Sequence, residues 1–244
     1  MTFALWLLAG CASSPEPAGA SLSPTGTPTE PPSTAATAAP TGDSGAAPLL
    51  CPEVASTEVA GVVTDERLVE VSGLAWANDL LWTHNDSGGP VLYGLTPQGV
   101  VSQVVTVEGM PVFDWEDMAV LDGTLWLADV GDNLAARTHI TLYAVPVPAP
   151  GQEWVTARAL QLTWPDGARD CETLLADPVT GDLVLLSKEI DGDVRVGRVV
   201  DPLADEGVLE EVARVRFGPD GFGTGTYVTG GDVAPDGRGV VIRQ

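Results

Sequence analysis

The stretch Val71-Ser72-Gly73-Leu74-Ala75, followed by Leu81-Trp82-Thr83-His84-Asn85-Asp86-Ser87-Gly88, decides the fold because it returns. Glu116-Asp117-Met118-Ala119-Val120 is followed by Leu125-Trp126-Leu127-Ala128-Asp129-Val130-Gly131-Asp132-Asn133. A third copy runs Asp170-Cys171-Glu172-Thr173-Leu174-Leu175-Ala176 and continues with Leu183-Val184-Leu185-Leu186-Ser187-Lys188. A fourth begins Gly231-Asp232-Val233-Ala234-Pro235-Asp236-Gly237 and reaches Val240-Val241-Ile242-Arg243. The starts at Leu74, Met118, Leu174 and Val233 lie 44, 56 and 59 residues apart. A recurring strand-turn-strand signature at such a period belongs to arrays of small sheets.

Between the copies, short β-branched and aromatic runs alternate with Gly, Asp, Asn and Pro turns. No long stretch carries a 3.6-residue period, so the domain reads as all-β. Four antiparallel strands per unit at this spacing predict β-propeller blades. A β-sandwich is the competitor, and it has no reason to repeat the signature. Residues 49–244 give three full blades and the start of a fourth. An open ring exposes strand edges, so the arithmetic predicts a chain cut short at its C-terminus. The segment from Thr57 to Arg67 has no obvious sheet to join.

The first residues read as address and tether. Phe3 to Leu8 is a short apolar run, far below the ~20 residues of a membrane span. Leu8-Ala9-Gly10-Cys11 follows it and resembles a bacterial lipobox, which predicts a signal over 1–11 and a lipid on Cys11. The competing reading is an apolar N-terminus with a buried thiol. No Lys or Arg precedes the run, which departs from the usual signal. Residues 12–48 are Ala, Ser, Thr, Pro and Gly with few large apolar side chains, and read as a disordered linker. The protein is thus expected to be exported and anchored to the cell envelope through its lipid. Ala12, in place of Asp, favours the outer membrane in a Gram-negative host.

The net charge is −23, from 34 acids and 11 bases, and Lys188 is the sole lysine. This excludes a general nucleic-acid binder, which needs a cationic surface. Only Glu16, Glu30 and Asp43 are charged before residue 49, so the acidity sits on the globular part. A monomer that binds an unidentified ligand or protein partner is expected.

The ordered motifs S-G-L-A, L-W-x-x-N-D-S-G, D-W-E-D-M-A, A-D-V-G-D-N, D-x-E-x-L and T-G-x-D-V-x-P-D-G resemble uncharacterised secreted bacterial propellers. These form the SdiA-regulated, phytase-like or esterase-like propeller group. The resemblance covers residues 68–244 and implies the fold, with at least one further blade after the fourth repeat. It does not by itself imply a phosphatase or an esterase.

First strands of blades line a central channel. Asp114 and Glu116 lie 56 residues before Asp170 and Glu172, the same offset as their repeats, so the repeat places these four acids near one another at one channel mouth. Like charges so placed raise one another's pKa unless a cation, Arg or Lys lies between them. Two readings follow: a Ca²⁺ or Mg²⁺ site on Asp114, Glu116, Asp170 and Glu172, or carboxylates that cap neighbouring turns. Asn85, Asp86, Asp129, Asp132 and Asn133 occupy Gly-containing turns after the second strands. They read as turn formers or as a ligand-binding rim. Cys51 and Cys171 are an even pair in an oxidising setting, either bridged or separately buried.

No G-x-S-x-G, zinc spacing, P-loop or dinucleotide fingerprint occurs. The expected function is therefore a binding module, steadied by cations. The alternative is a Ca²⁺-dependent phosphoesterase or esterase-like hydrolase using the four mouth carboxylates.

Overall fold

A computed structural model describes residues 59–216 and 227–244. The signal, Cys11, the linker over 12–48 and Cys51 lie outside the described residues. All regular structure among the described residues is β. The chain forms β1 (Val71–Ala77), β2 (Leu80–Asn85), β3 (Val91–Leu95) and β4 (Val101–Glu108). There follow β5 (Trp115–Leu121), β6 (Thr124–Asp129), β7 (Ile140–Pro146), β8 (Trp154–Thr156) and β9 (Arg158–Thr163). The third unit holds β10 (Cys171–Ala176), β11 (Leu183–Ser187), β12 (Asp193–Arg198), β13 (Glu206–Val208) and β14 (Glu210–Arg216). The last pair is β15 (Gly231–Val233) and β16 (Val240–Ile242).

Each repeat is one antiparallel sheet, in the orders β1-β2-β3-β4, β5-β6-β7-β9, β10-β11-β12-β14 and β15-β16. The leading strands β1, β5, β10 and β15 pack side by side in succession, which is a bladed arrangement. Tight turns set the first two hairpins. Asn78 and Asp79 both have positive φ, as do Asp122 and Gly123, the signature of two-residue primed turns. All three complete blades carry a bulge in the leading strand, between Ser72 and Leu74, Trp115 and Asp117, and Cys171 and Thr173.

The simple four-stranded blade needs one amendment. β8 leaves the second repeat and adds to β4 in parallel, pairing Val107 with Val155. β13 leaves the third repeat and adds to β9 in the same way, pairing Leu162 with Gly207. Each loan uses one more repeated bond: Thr106 N–H donates to Glu153 O and Gln161 N–H to Asp205 O, both at 2.9 Å. A borrowed strand covers an edge that would otherwise offer unpaired amides. The long β7–β9 and β12–β14 connections used for these loans supply part of the extra length in the second and third spacings; the longer β6–β7 connection and the stretch between β14 and β15 supply the rest.

The cores lie between sheets. Trp82, Leu92, Val105 and Val107 of the first blade pack on Trp115, Met118, Leu125 and Leu127 of the second. Leu142, Leu160 and Leu162 of the second pack with Cys171, Leu174, Leu183 and Leu185 of the third. Each such aliphatic side chain contributes about 1.5–3 kcal/mol by leaving water. Repeat-matched Trp82 and Trp126 are both buried. The segment before β1 is not a strand. It lays Val63 and Leu68 onto Tyr93 and Leu95 of the first blade. Cys171 is fully buried, and its Sγ donates to Leu186 O at 3.0 Å.

Candidate acidic mouth

The leading strands begin at one end of the domain, where the turns after β2, β6 and β11 also lie. A repeated backbone bond registers each turn on the residue that opens the blade. Asp86 N–H donates to Glu70 O at 2.9 Å, Gly131 N–H to Asp114 O at 3.2 Å, and Lys188 N–H to Asp170 O at 2.9 Å. Asp86 and Lys188 hold the same register position, directly after the residue that pairs with the start of the blade; in the second blade Val130 holds that position and Gly131, one residue on, makes the repeated bond.

In the third blade the Lys188 side chain reaches back over its own acids. Its Nζ donates to Glu172 Oε1 and lies 3.4 Å from Asp170 Oδ2. It also donates to Asn133 Oδ1 at 3.4 Å and lies 5.7 Å from the Tyr227 ring centroid. Burial alone would lower the Lys188 pKa. The hydrogen bond and charge of Glu172, then of Asp170, outweigh it and hold it above the usual value.

In the second blade there is no such side chain. A Cβ on Gly131 would sit 2.3 Å from Asp114 Oδ2 and 2.5 Å from Glu116 Oε1. Both carboxylates thus occupy the space over the glycine. Burial, then the charges of Asp170, Asp86 and Asp129, push the Asp114 pKa up. Burial, then Glu172, Asp114 and Asp170, push Glu116 up to about 8, against a smaller opposing pull from Lys188. Lys188 joins Asp170 and Glu172, Asp114 and Glu116 meet over Gly131, and the charges of the two pairs act on each other. Among the described residues, no group of three or more His, Cys, Asp or Glu is disposed to hold a metal ion.

The turn residues take separate places. Asn85 Oδ1 accepts Val69 N–H and Glu70 N–H, while its amide donates to Arg67 O at 2.8 Å. Asp129 is fully buried and accepts Phe113 N–H, Asp114 N–H and the Arg137 guanidinium at 2.8 Å. Asp132 accepts Ala136 N–H and Arg137 N–H, and its own N–H donates to Asp170 Oδ1 at 2.8 Å. Asn133 is exposed and reaches Lys188. Asp86 lies beside Glu70. Burial and that neighbour raise the Asp86 pKa, whereas Ser87, then Asp86, lower that of Glu70. Phe113, Leu134 and Ile190 stand exposed on the surrounding turns.

Sequence parity did not single out two buried groups beneath the mouth. Asp117 Oδ1 accepts Met118 N–H and Oδ2 accepts Leu174 N–H of the next blade, each at 2.9 Å. Burial pushes its pKa up to about 8. His84 is fully buried edge-on to Trp115, with ring centroids 5.2 Å apart, and burial pushes its pKa down to about 4.

Fold and site together define an all-β, bladed domain with an acidic mouth. No family model matches the chain, and no curated protein matches it. Among solved structures it is similar to a gluconolactonase from Xanthomonas campestris, at 12% identity and a TM-score of 0.37. That match covers 75% of this chain and 78% of the other.

Proposed function

We propose that the domain is a binding module whose acidic mouth receives the cationic group of a ligand on Asp114 and Glu116. One observation supports this above the others. The sister pair Asp170 and Glu172 carries an internal ammonium from Lys188, whereas Gly131, which makes the matching backbone bond, puts no side chain over Asp114 and Glu116, and Arg137 is paired with Asp129 instead. A ligand cation placed between these carboxyls in a partly dry setting would draw off the Glu116 proton and be held by two carboxylates, which favours cations over neutral ligands. The exposed Phe113, Leu134 and Ile190 suit apolar flanks on that ligand. Together with Cys11 and the linker, the reading is of a lipid-anchored envelope protein that presents this mouth outward.

The test is a thermal melt of the full chain with propylammonium chloride, CaCl2 or NaCl at equal ionic strength. Stabilisation by propylammonium that Glu116→Gln abolishes supports an ammonium ligand. Stabilisation by Ca²⁺ alone points to the metal site expected from sequence. Equal melting in all three salts removes the proposal. Metabolic labelling with palmitate that is lost in Cys11→Ser tests the anchor.

A hydrolytic second reading has one observation in its favour. A carboxyl with a pKa of about 8, as in Glu116, can donate a proton near neutral pH. In this reading Asp114, Asp170 and Glu172 would position Ca²⁺, a phosphoester and water, with Glu116 off the metal as the proton donor. Turnover of a phosphoester panel that requires added Ca²⁺ and disappears in Glu116→Gln supports it. No turnover across the panel sinks it.

A further inference from the structure

The inference concerns a second place, distinct from the carboxylate pair of the mouth. A cavity of about 250 Å³ opens at the second blade, where the connection from β9 to β10 passes the turn after β6, lined by Arg137, His139, Thr163, Trp164 and Arg169, with Asp132 at one side. In a chain with 11 bases and 34 acids, two arginines meet at this one small cavity, Arg137 paired with Asp129 and Arg169 with Asp166 and Glu189.

The hydrogen-bond inventory of that lining is unbalanced towards donors. Arg137 engages protein acceptors through Nη1 alone, on Asp129 and Gly131 O, so its Nε and Nη2 have no acceptor among the described residues. Trp164 is 5% exposed, and its indole N–H is buried with no partner among the described residues. The benzo edge of that indole is fixed against β12, where a Cβ on Gly197 would lie 2.7 Å from Cζ3. The acid at the cavity offers little in return, because Asp132 spends both carboxylate oxygens on Ala136 and Arg137 N–H groups. Arg169 is already held by Asp166 and Glu189, so it walls the cavity more than it recognises a ligand.

Unmatched donors in a partly dry cavity call for an acceptor that supplies several lone pairs. A carboxylate does this best, through paired contacts with a guanidinium edge and a further bond from the indole. We infer that this cavity binds a small carboxylate-bearing molecule, with Arg137 taking the charge and Trp164 donating its indole N–H. The apolar part of the ligand would lie against Leu162 and Ile140, which also line the cavity.

The experiment is a two-dimensional NMR titration of the indole N–H resonances of the full chain. Probes are propionate and benzoate, each against its own amide, with inorganic phosphate as a further arm. Trp164→Phe assigns the resonance by its disappearance. The expected result is a saturable downfield shift of the Trp164 N–H with the acids at ~10 mM or below and none with the amides. Arg137→Gln should weaken binding about tenfold or more. Phosphate acting as well as the carboxylates overturns the carboxylate assignment in favour of a general oxyanion site. Equal shifts with acid and amide, or no shift with either, overturn the inference outright. Arg137 also neutralises buried Asp129. Should Arg137→Gln not fold, the wild-type comparison of acid with amide still decides.

Discussion

Gly131 and Lys188 make the same backbone bond in successive blades, each donating its N–H to the carbonyl of the acid that opens its blade, Asp114 or Asp170. Only one of them has a side chain to spend on the carboxylates beneath. The mouth is therefore asymmetric: Lys188 sits directly on the acids of the third blade, whereas in the second blade the cation, Arg137, is bonded to Asp129 rather than to Asp114 or Glu116.

The first consequence is for Lys188. Its ammonium lies between Asp170 and Glu172 with limited exposure. Lys188→Met leaves the four acids with no cation among them. We expect a loss of about 1–3 kcal/mol near neutral pH, the scale of a hydrogen bond to a charged group. The loss should shrink in acid, where the carboxylates protonate. Urea unfolding at pH 7 and pH 4 checks both statements, and an equal loss at the two pH values contradicts the second.

Glu116 sets a pH dependence of definite sign. Its pKa is raised from 4.5 to about 8 in the folded state. Between those values the folded protein holds a proton that the unfolded chain has released. Stability from this group is thus full below 4.5 and falls as pH rises towards 8. Asp117, also raised to about 8, acts in the same window, so the informative quantity is the difference between wild type and Glu116→Gln. The variant should gain on wild type as pH climbs from 5 to 8, by on the order of 1 kcal/mol. A constant difference across that range contradicts the assignment.

Asp117 joins two blades through Leu174 N–H while capping Met118 N–H at its own bulge. Asp117→Ala leaves both amides unpaired in a dry site and is expected to cost about 2–4 kcal/mol. Asp117→Asn keeps one acceptor oxygen and should cost less. Denaturant midpoints of the two variants give the order, and Asn costing as much as Ala would show that the carboxylate's second oxygen matters.

Much of this was legible in the sequence because a repeat makes each copy a control for the others. The matched Leu74, Met118 and Leu174 mark the leading strands, and the shared 56-residue offset puts Asp114, Glu116, Asp170 and Glu172 at their starts, while the bulge there breaks the simple alternation. Lys188 was visible as the sole lysine, yet its partners were not. Its reach to Glu172 depends on a turn registered by one backbone bond, which no periodicity reports. The loaned strands were missed for a similar reason. Trp154-Val155-Thr156 looks like part of an ordinary strand run, and its pairing with β4 in the previous repeat is a long-range contact. Asp117 differs from Glu116 by one position, and only the bulge decides which of the two turns inward.

The loan itself makes the last prediction. Val155 sits at the centre of β8, 2% exposed, and packs into the core between the first two blades. Val155→Ala removes two buried methyl groups and should cost about 1–2 kcal/mol. The more specific effect is local. Thr106 N–H is held by Glu153 O, a bond that exists only while β8 lies on β4. Loosening β8 therefore exposes the Thr106 amide without unfolding the first blade. Hydrogen exchange should quicken at Thr106 and stay slow in the β1–β2 hairpin, because a partial opening frees only the amides whose bonds it breaks. Uniform acceleration through all of β1 to β4 would instead mean that β8 is required for the blade to form at all.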